Sequence, residues 1–225
     1  FQLDGAGKFT KLTSGTSMYF HDVVAAGNRI YFYEGTAGEI YKHDAGTAVK
    51  KVIKQTVSGD FRTAGNLLYF TNGNDLYRCN GTATGTVRLN GAMTTGNGDY
   101  FAANDHVYFE GTVNNVTSLY RVGVAETTPT RIAEDFSLLN NSFAELNGAV
   151  YFSGGHYTTS PHSAGLQLYR ADVSTGTVAP ATTLTTSNGG GRVEGISAIG
   201  TSIYFSAGDG DFITSQGTGD RELYK

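Results

Sequence analysis

Residues Gly27–Lys42 read GNRIYFYEGTAGEIYK, and the rest of the chain restates them. A Gly or Asn turn leads into an apolar residue and Tyr-Phe. A loop follows, and then a short strand ending in Ile-Tyr or Leu-Tyr and a basic residue. The pattern returns as GNLLYF with DLYR (Gly65–Phe70, Asp75–Arg78), NDHVYF with SLYR (Asn104–Phe109, Ser118–Arg121), NGAVYF with QLYR (Asn147–Phe152, Gln167–Arg170) and GTSIYF with ELYK (Gly200–Phe205, Glu222–Lys225). Five copies in 225 residues give one per 45, the spacing of a four-stranded propeller blade. Such a unit cannot bury its own faces and needs neighbours, so the repeat argues for one domain.

Working outward from each Tyr-Phe pair gives the other strands. Eight residues before the Tyr stand Val23, Phe61, Tyr100, Phe143 and Ile196, all apolar. They mark inner strands at roughly Tyr19–Ala25, Asp60–Ala64, Asp99–Ala103, Ser142–Leu146 and Glu194–Ile199. Successive strand residues face opposite ways, so Tyr-Phe makes both faces of each sheet apolar. Fourth strands are expected at Ala48–Ile53, Gly85–Leu89, Pro129–Ala133 and Val178–Leu184. The opening FQLDGAGKFTKLT (Phe1–Thr13) continues Glu222–Lys225 as one unbroken repeat. The expected fold class is therefore all-β: a five-bladed β-propeller of four-stranded antiparallel blades, closed by the N-terminal strand. The blades run about 19–53, 54–89, 90–133, 134–184 and 185–225 plus 1–13.

Composition narrows the function classes. The net charge is −4 with both signs scattered, which excludes the basic face of a nucleic-acid binder. No run approaches the ~18 apolar residues of a membrane helix, so no membrane insertion is expected. The single cysteine, Cys79, forms no internal disulfide and reads as a small side chain on an outer strand rather than a catalytic thiol. Trp is absent, so Tyr and Phe supply the large core side chains. An opening on Phe1 rather than Met suggests a mature or trimmed segment, and the Gly/Thr/Asn/Ser-rich surface an extracellular, cell-surface or periplasmic protein.

Loops between the second and third strands are expected at Tyr33–Glu39, Thr71–Asp75, Glu110–Ser118, Ser153–Gln167 and Ser206–Glu222. The last two, at 15 and 17 residues, exceed an ordinary hairpin. With the connector SNGGGR (Ser187–Arg192) they make the expected site, since function concentrates on variable loops over a rigid scaffold. His156, Tyr157, His162, Asn188, Asp209, Asp211 and Gln216 are its candidate ligand-binding residues. The two histidines lack the spacing of a zinc site. Asp209 and Asp211 begin like a calcium loop without completing one.

Asp22, Asp60 and Asp99 share the position nine before the Tyr, where Ser142 and Gly195, beside Glu194, stand in the last two copies. Gathered at a channel mouth, the three aspartates would suit Ca²⁺, and with Glu194 they would suit the acid/base pair of a glycoside hydrolase. A repeated turn residue bonding its own backbone explains the same position without chemistry. The sequons at Asn80, Asn115 and Asn140 occur about as often as chance allows. Gly189–Gly191 lacks the Lys of a phosphate loop.

The run LYK with FQLDGAGKFTKLTSG resembles the blade repeat of TolB-like and lipoprotein-receptor-like propellers of bacterial extracytoplasmic proteins. DLYRCNGTATG (Asp75–Gly85) is similar to the ELWK-x-DGT repeats of bacterial surface proteins. The five-fold count resembles tachylectin-type lectins in architecture. These resemblances imply a blade rather than a ligand. The function expected is a non-catalytic binding or adhesion module presenting the loops of blades four and five to a glycan or extracellular protein. The alternatives are the hydrolase and a structural repeat domain of a larger surface or filament assembly. No cofactor is expected beyond the Ca²⁺ alternative.

Overall fold

The computed structural model describes residues 2–3, 9–12, 19–91, 93–156, 167–182, 193–208 and 221–225. They form only strands, turns and irregular segments. The chain divides into two compact units, Phe1–Leu89 and Asn90–Lys225.

The first unit opens with a two-stranded sheet, β1 (Gln2–Leu3) on β2 (Phe9–Thr10), in the register Gln2↔Thr10 and Leu3↔Phe9. Two four-stranded antiparallel meanders follow. One runs β3 (Phe20–Ala26), β4 (Arg29–Glu34), β5 (Glu39–Asp44) and β6 (Lys50–Lys54). The other runs β7 (Arg62–Ala64), β8 (Leu67–Asn72), β9 (Asp75–Cys79) and β10 (Thr86–Arg88).

The second unit repeats the plan. Its first meander is β11 (Thr94–Ala103), β12 (His106–Val113), β13 (Val116–Gly123) and β14 (Thr130–Glu134). The next is β15 (Phe136–Leu146), β16 (Ala149–His156), β17 (Gln167–Asp172) and β18 (Val178–Pro180). Last come β19 (Glu194–Ile199), β20 (Ser202–Gly208) and β21 (Arg221–Tyr224), three strands among the described residues.

The repeated letters now have a physical cause. The Phe of each Tyr-Phe lies directly opposite the Tyr of the next strand, and the two rings stack. The pairs are Phe32–Tyr41 (5.6 Å, 7°), Phe70–Tyr77 (5.4 Å, 8°), Phe109–Tyr120 (5.9 Å, 23°), Phe152–Tyr169 (6.4 Å, 17°) and Phe205–Tyr224 (5.3 Å, 11°). Each offset pair adds about 0.5–1.5 kcal/mol beyond its burial. The Tyr of Tyr-Phe turns to the opposite face, where Tyr31, Tyr69 and Tyr108 are fully buried. The tight turns follow the same logic. Asn104-Asp105 and Asn147-Gly148 both have two residues at positive φ, the two-residue hairpin geometry that Asn, Asp and Gly tolerate.

Neighbouring sheets within each unit are joined by an arginine. In the first unit Arg29 bonds the Asp44 carboxylate and Tyr31 Oη, and donates to Asn80 O of the β9–β10 turn at 2.9 Å. In the second, Arg121 donates to Val173 O of the β17–β18 turn at 2.6 Å. Each guanidinium lies where a turn glycine has no side chain: a Cβ on Gly81 would stand 2.6 Å from Arg29 Nη1, and one on Gly176 2.8 Å from Arg121 Cζ. Both glycines also hold positive φ. Further ties are Thr63 Oγ1 donating to Ala25 O (2.9 Å) in the first unit and Ile196 N to Ser142 Oγ (2.8 Å) in the second.

Several sequence expectations are corrected. Glu110–Ser118 is not a loop: β12 and β13 run on to an Asn114-Asn115 turn whose φ values are 52° and 63°, with the Thr112 and Thr117 hydroxyls 3.0 Å apart across the strands. Thr71–Asp75 likewise shrinks to a turn at residues 73–74. The inner strands β11 and β15 begin well before Asp99 and Ser142, because the extended β12 and β16 give them pairing partners beyond a bulge. Of the outer strand expected at Val178–Leu184, the described residues form Val178–Pro180 and leave it at residues 181–182. Cys79 is fully buried on β9, a third strand rather than an outer one, at the position that His43, Val122 and Ala171 occupy in other sheets.

Carboxylates tie down several turns. Asp172 accepts from the hydroxyls and amides of Ser174 and Thr175, led by the Ser174 hydroxyl, and its pKa falls to about 2. The Arg29 bond lowers Asp44, and the Ala37 amide lowers Glu34. Groups depressed in the folded state stabilise it above the unfolded carboxylate value and lose that contribution as pH falls through the folded one. Urea midpoints are therefore expected to drop between about pH 4 and about pH 2. Asp172→Asn should flatten that slope; an unchanged slope would contradict the turn bonds.

Candidate functional site

Four of the five inner strands enter their sheets through bulges, β7 being the exception, and this bears on the repeated acidic position. β3 skips register between His21 and Val24, β11 between Thr95 and Tyr100, β15 between Leu138 and Phe143, and β19 between Glu194 and Ser197. Asp22 and Gly195 stand in these bulges with φ of 54° and 62°. Asp and Gly are both tolerant of that left-handed conformation, so backbone shape explains their equivalence in sequence.

Asp22 Oδ2 accepts from His21 Nδ1 at 2.5 Å. A carboxylate can only accept, so the ring proton sits on Nδ1. Asp60 lies just ahead of β7, exposed, with Arg62 Nη2 donating to it at 3.1 Å. Asp99 lies in the irregular part of β11, and its side chain is outside the described residues. At the corresponding position Ser142 accepts the Ile196 amide. Glu194 opens β19, its carbonyl accepting from Ser206 Oγ at 3.1 Å. Among the described residues no three His, Cys, Asp or Glu stand close enough to hold a metal ion.

Of the loop candidates, His156 is described. It ends β16 opposite Phe136, exposed, with its ring edge-on to Phe136 (5.2 Å, 88°) and at 6.1 Å from Tyr169. Tyr157, His162, Asn188, Asp209, Asp211 and Gln216 lie outside the described residues.

Two acids escaped the sequence reading. Glu34 is buried at the end of β4 and receives the amides of Tyr19 (3.4 Å), Thr36 (3.1 Å) and Ala37 (2.6 Å). Glu110 is buried on β12 and receives the Leu138 amide and the Ser137 hydroxyl (2.7 Å), anchoring the start of β15. Glu110 directly follows Tyr-Phe, where other copies carry Tyr33, Thr71, Ser153 and Ser206; Glu34 stands one residue further on, where they carry Asn72, Gly111, Gly154 and Ala207. A carboxylate at an otherwise apolar, buried strand position was the available signal.

No family model matches the chain. No curated protein matches it either. Solved structures do. Streptogramin B lyase shares 18% identity over 90% of this chain and 67% of its own, with a TM-score of 0.51. Catalytically inactive virginiamycin B lyase from Staphylococcus aureus, solved with quinupristin, shares 16% over 91% and 69%, at 0.50. A Mycobacterium tuberculosis puromycin-hydrolyzing peptidase shares 12% over 90% of this chain but 38% of its own, at 0.52. At such identities the likeness is one of fold, and the fold is of the β-propeller class: successive antiparallel meanders along the chain. Among the described residues no helix is long and apolar enough to cross a membrane.

Proposed function

We propose that the chain is a non-catalytic binding or adhesion module, working outside the cell or at its surface and taking a glycan or an extracellular protein. In this reading the five sheets close as a five-bladed ring, with the N-terminal strand completing the last blade. The segments that follow β16 and β20 present His156, Tyr157, His162, Asn188, Asp209, Asp211 and Gln216.

The observation that carries the reading is at the mouth of the first of these segments. His156 is an exposed imidazole seated edge-on against the buried Phe136. A polar ring fixed on an apolar floor suits recognition, where a few placed polar groups give orientation. Catalysis by Asp22, Asp60, Asp99 and Glu194 draws less support, because Asp22 and Asp60 are each engaged by a neighbouring side chain. The experiment is a glycan and surface-protein array, probed with the whole chain and with a variant lacking residues 158–165. Hits that vanish in the shortened chain are expected. Hits that survive the excision would remove the long-segment site, and a blank array for both would contradict the binding reading.

A further inference from the structure

The entry to β3 holds a second cluster, outside the long segments. Tyr19 is 68% exposed, yet its backbone is fixed from both sides. Its amide donates to Glu34 Oε1, and its carbonyl accepts from the Gly35 amide at 3.0 Å. Glu34 also holds the amides of Thr36 and Ala37, so the loop beneath the ring is tied to the same carboxylate. A large aromatic is thus offered to solvent on a backbone that cannot easily withdraw it.

His21 stands beside it, ring centroids 5.5 Å apart and planes tilted by 45°. The imidazole is braced edge-on by Tyr33 at 4.9 Å and by the Asp22 carboxylate on Nδ1. With Nδ1 committed, Nε2 is the nitrogen left to meet a ligand. It lies over Gly35, where an added Cβ would come 3.1 Å from Nε2 and 3.6 Å from Tyr19 Cδ1. Gly35 therefore leaves a bare shelf between the two rings.

We propose that Tyr19, His21 and Asp22, over Gly35, form a seat for a neutral pyranose. The sugar's C–H face lies on the Tyr19 ring, and a hydroxyl bonds His21 Nε2. The electronegative ring face suits the weakly positive C–H groups of a pyranose, and a hydroxyl can donate to a neutral imidazole or accept from a protonated one. The charge at the seat is a carboxylate shared with the imidazole, which disfavours an anionic ligand. A purely apolar side chain would cover Nε2 without bonding it, at the cost of an unmade hydrogen bond. The proposal rests on the reading of the chain as a binding module, but it assigns the sugar to residues other than His156 and the segment that follows it.

The test is saturation-transfer NMR of the whole chain with millimolar methyl glycosides of glucose, galactose, mannose and N-acetylglucosamine. Transfer to the pyranose C–H protons is expected, with shifts at the Tyr19 ring and the His21 imidazole. Tyr19→Ala should weaken binding about tenfold, while Tyr19→Phe stays close to the parent. Tyr19 is exposed, so preserved amide dispersion in the variant excludes misfolding. Binding untouched by Tyr19→Ala, shifts confined to other residues, or no transfer to any of the four sugars would overturn the seat. Loss of array hits on excising residues 158–165, with Tyr19→Ala silent, would keep the binding-module reading and remove this site. The reverse pattern would keep this site and remove the long-segment one.

Discussion

Phe136→Ala is expected to destabilise the chain by about 3–5 kcal/mol, the range for emptying a fully buried aromatic site. The ring is wholly enclosed, T-shaped to Tyr169 (4.8 Å, 89°) and Phe152 (6.1 Å, 77°). Its outer edge fills the space over Gly154, where a Cβ would come 2.5 Å from Phe136 Cε1. Gly154→Ala should therefore also destabilise, by overpacking. Combined with Phe136→Ala it should do less harm than the sum, because the new methyl enters the vacated space. It also nears Ser137 O, at 2.8 Å, so the relief is partial. Urea titration of the four-member cycle measures this coupling. Strict additivity would mean that the ring and the glycine do not share that space.

Arg121→Ala carries the next largest effect, about 2–3 kcal/mol. It removes the charged donor to Val173 O and leaves a gap against Gly176. Arg121→Lys keeps the charge but not the planar fork, and should recover part of the loss. The expectation is read from the denaturation midpoint, with the m-value unchanged if the unfolded surface is unaffected. A loss under about 0.5 kcal/mol, the range of ordinary surface substitutions, would mean that the arginine is not a structural tie.

How much of this was legible in the sequence depends on the length scale of the cause. The Tyr-Phe and Leu-Tyr signatures could be read because strand alternation and cross-strand stacking act within one hairpin. The Asn and Gly turns could be read because positive φ restricts residue choice locally. The bulged starts of β11 and β15 could not. Thr94 and Thr95 look like a connector until the extension of β12 offers them partners in Thr112 and Gly111. Glu110 was missed because its partners, Ser137 and Leu138, are brought to it only by folding, whereas Glu34 takes the local amides of Thr36 and Ala37 and only its bond from Tyr19 is long-range. Tyr19 and His21 were passed over because period alone reads them as strand residues, and their exposure appears only when Gly35 is placed beneath them. Of the long-segment candidates, His156 is the described one, so that site stands on its exposed imidazole and the sequence behind it.

The ring is tested most directly by cross-strand nuclear Overhauser contacts at its proposed seam. The register of the β1–β2 pair is Gln2↔Thr10 and Leu3↔Phe9. Carried across the ends, it sets Lys225 against Leu12. A five-bladed closure predicts backbone contacts from Lys225 to Leu12 continuous with those of the β1–β2 pair. A β1–β2 hairpin with its own contacts intact and none reaching Lys225 would contradict it.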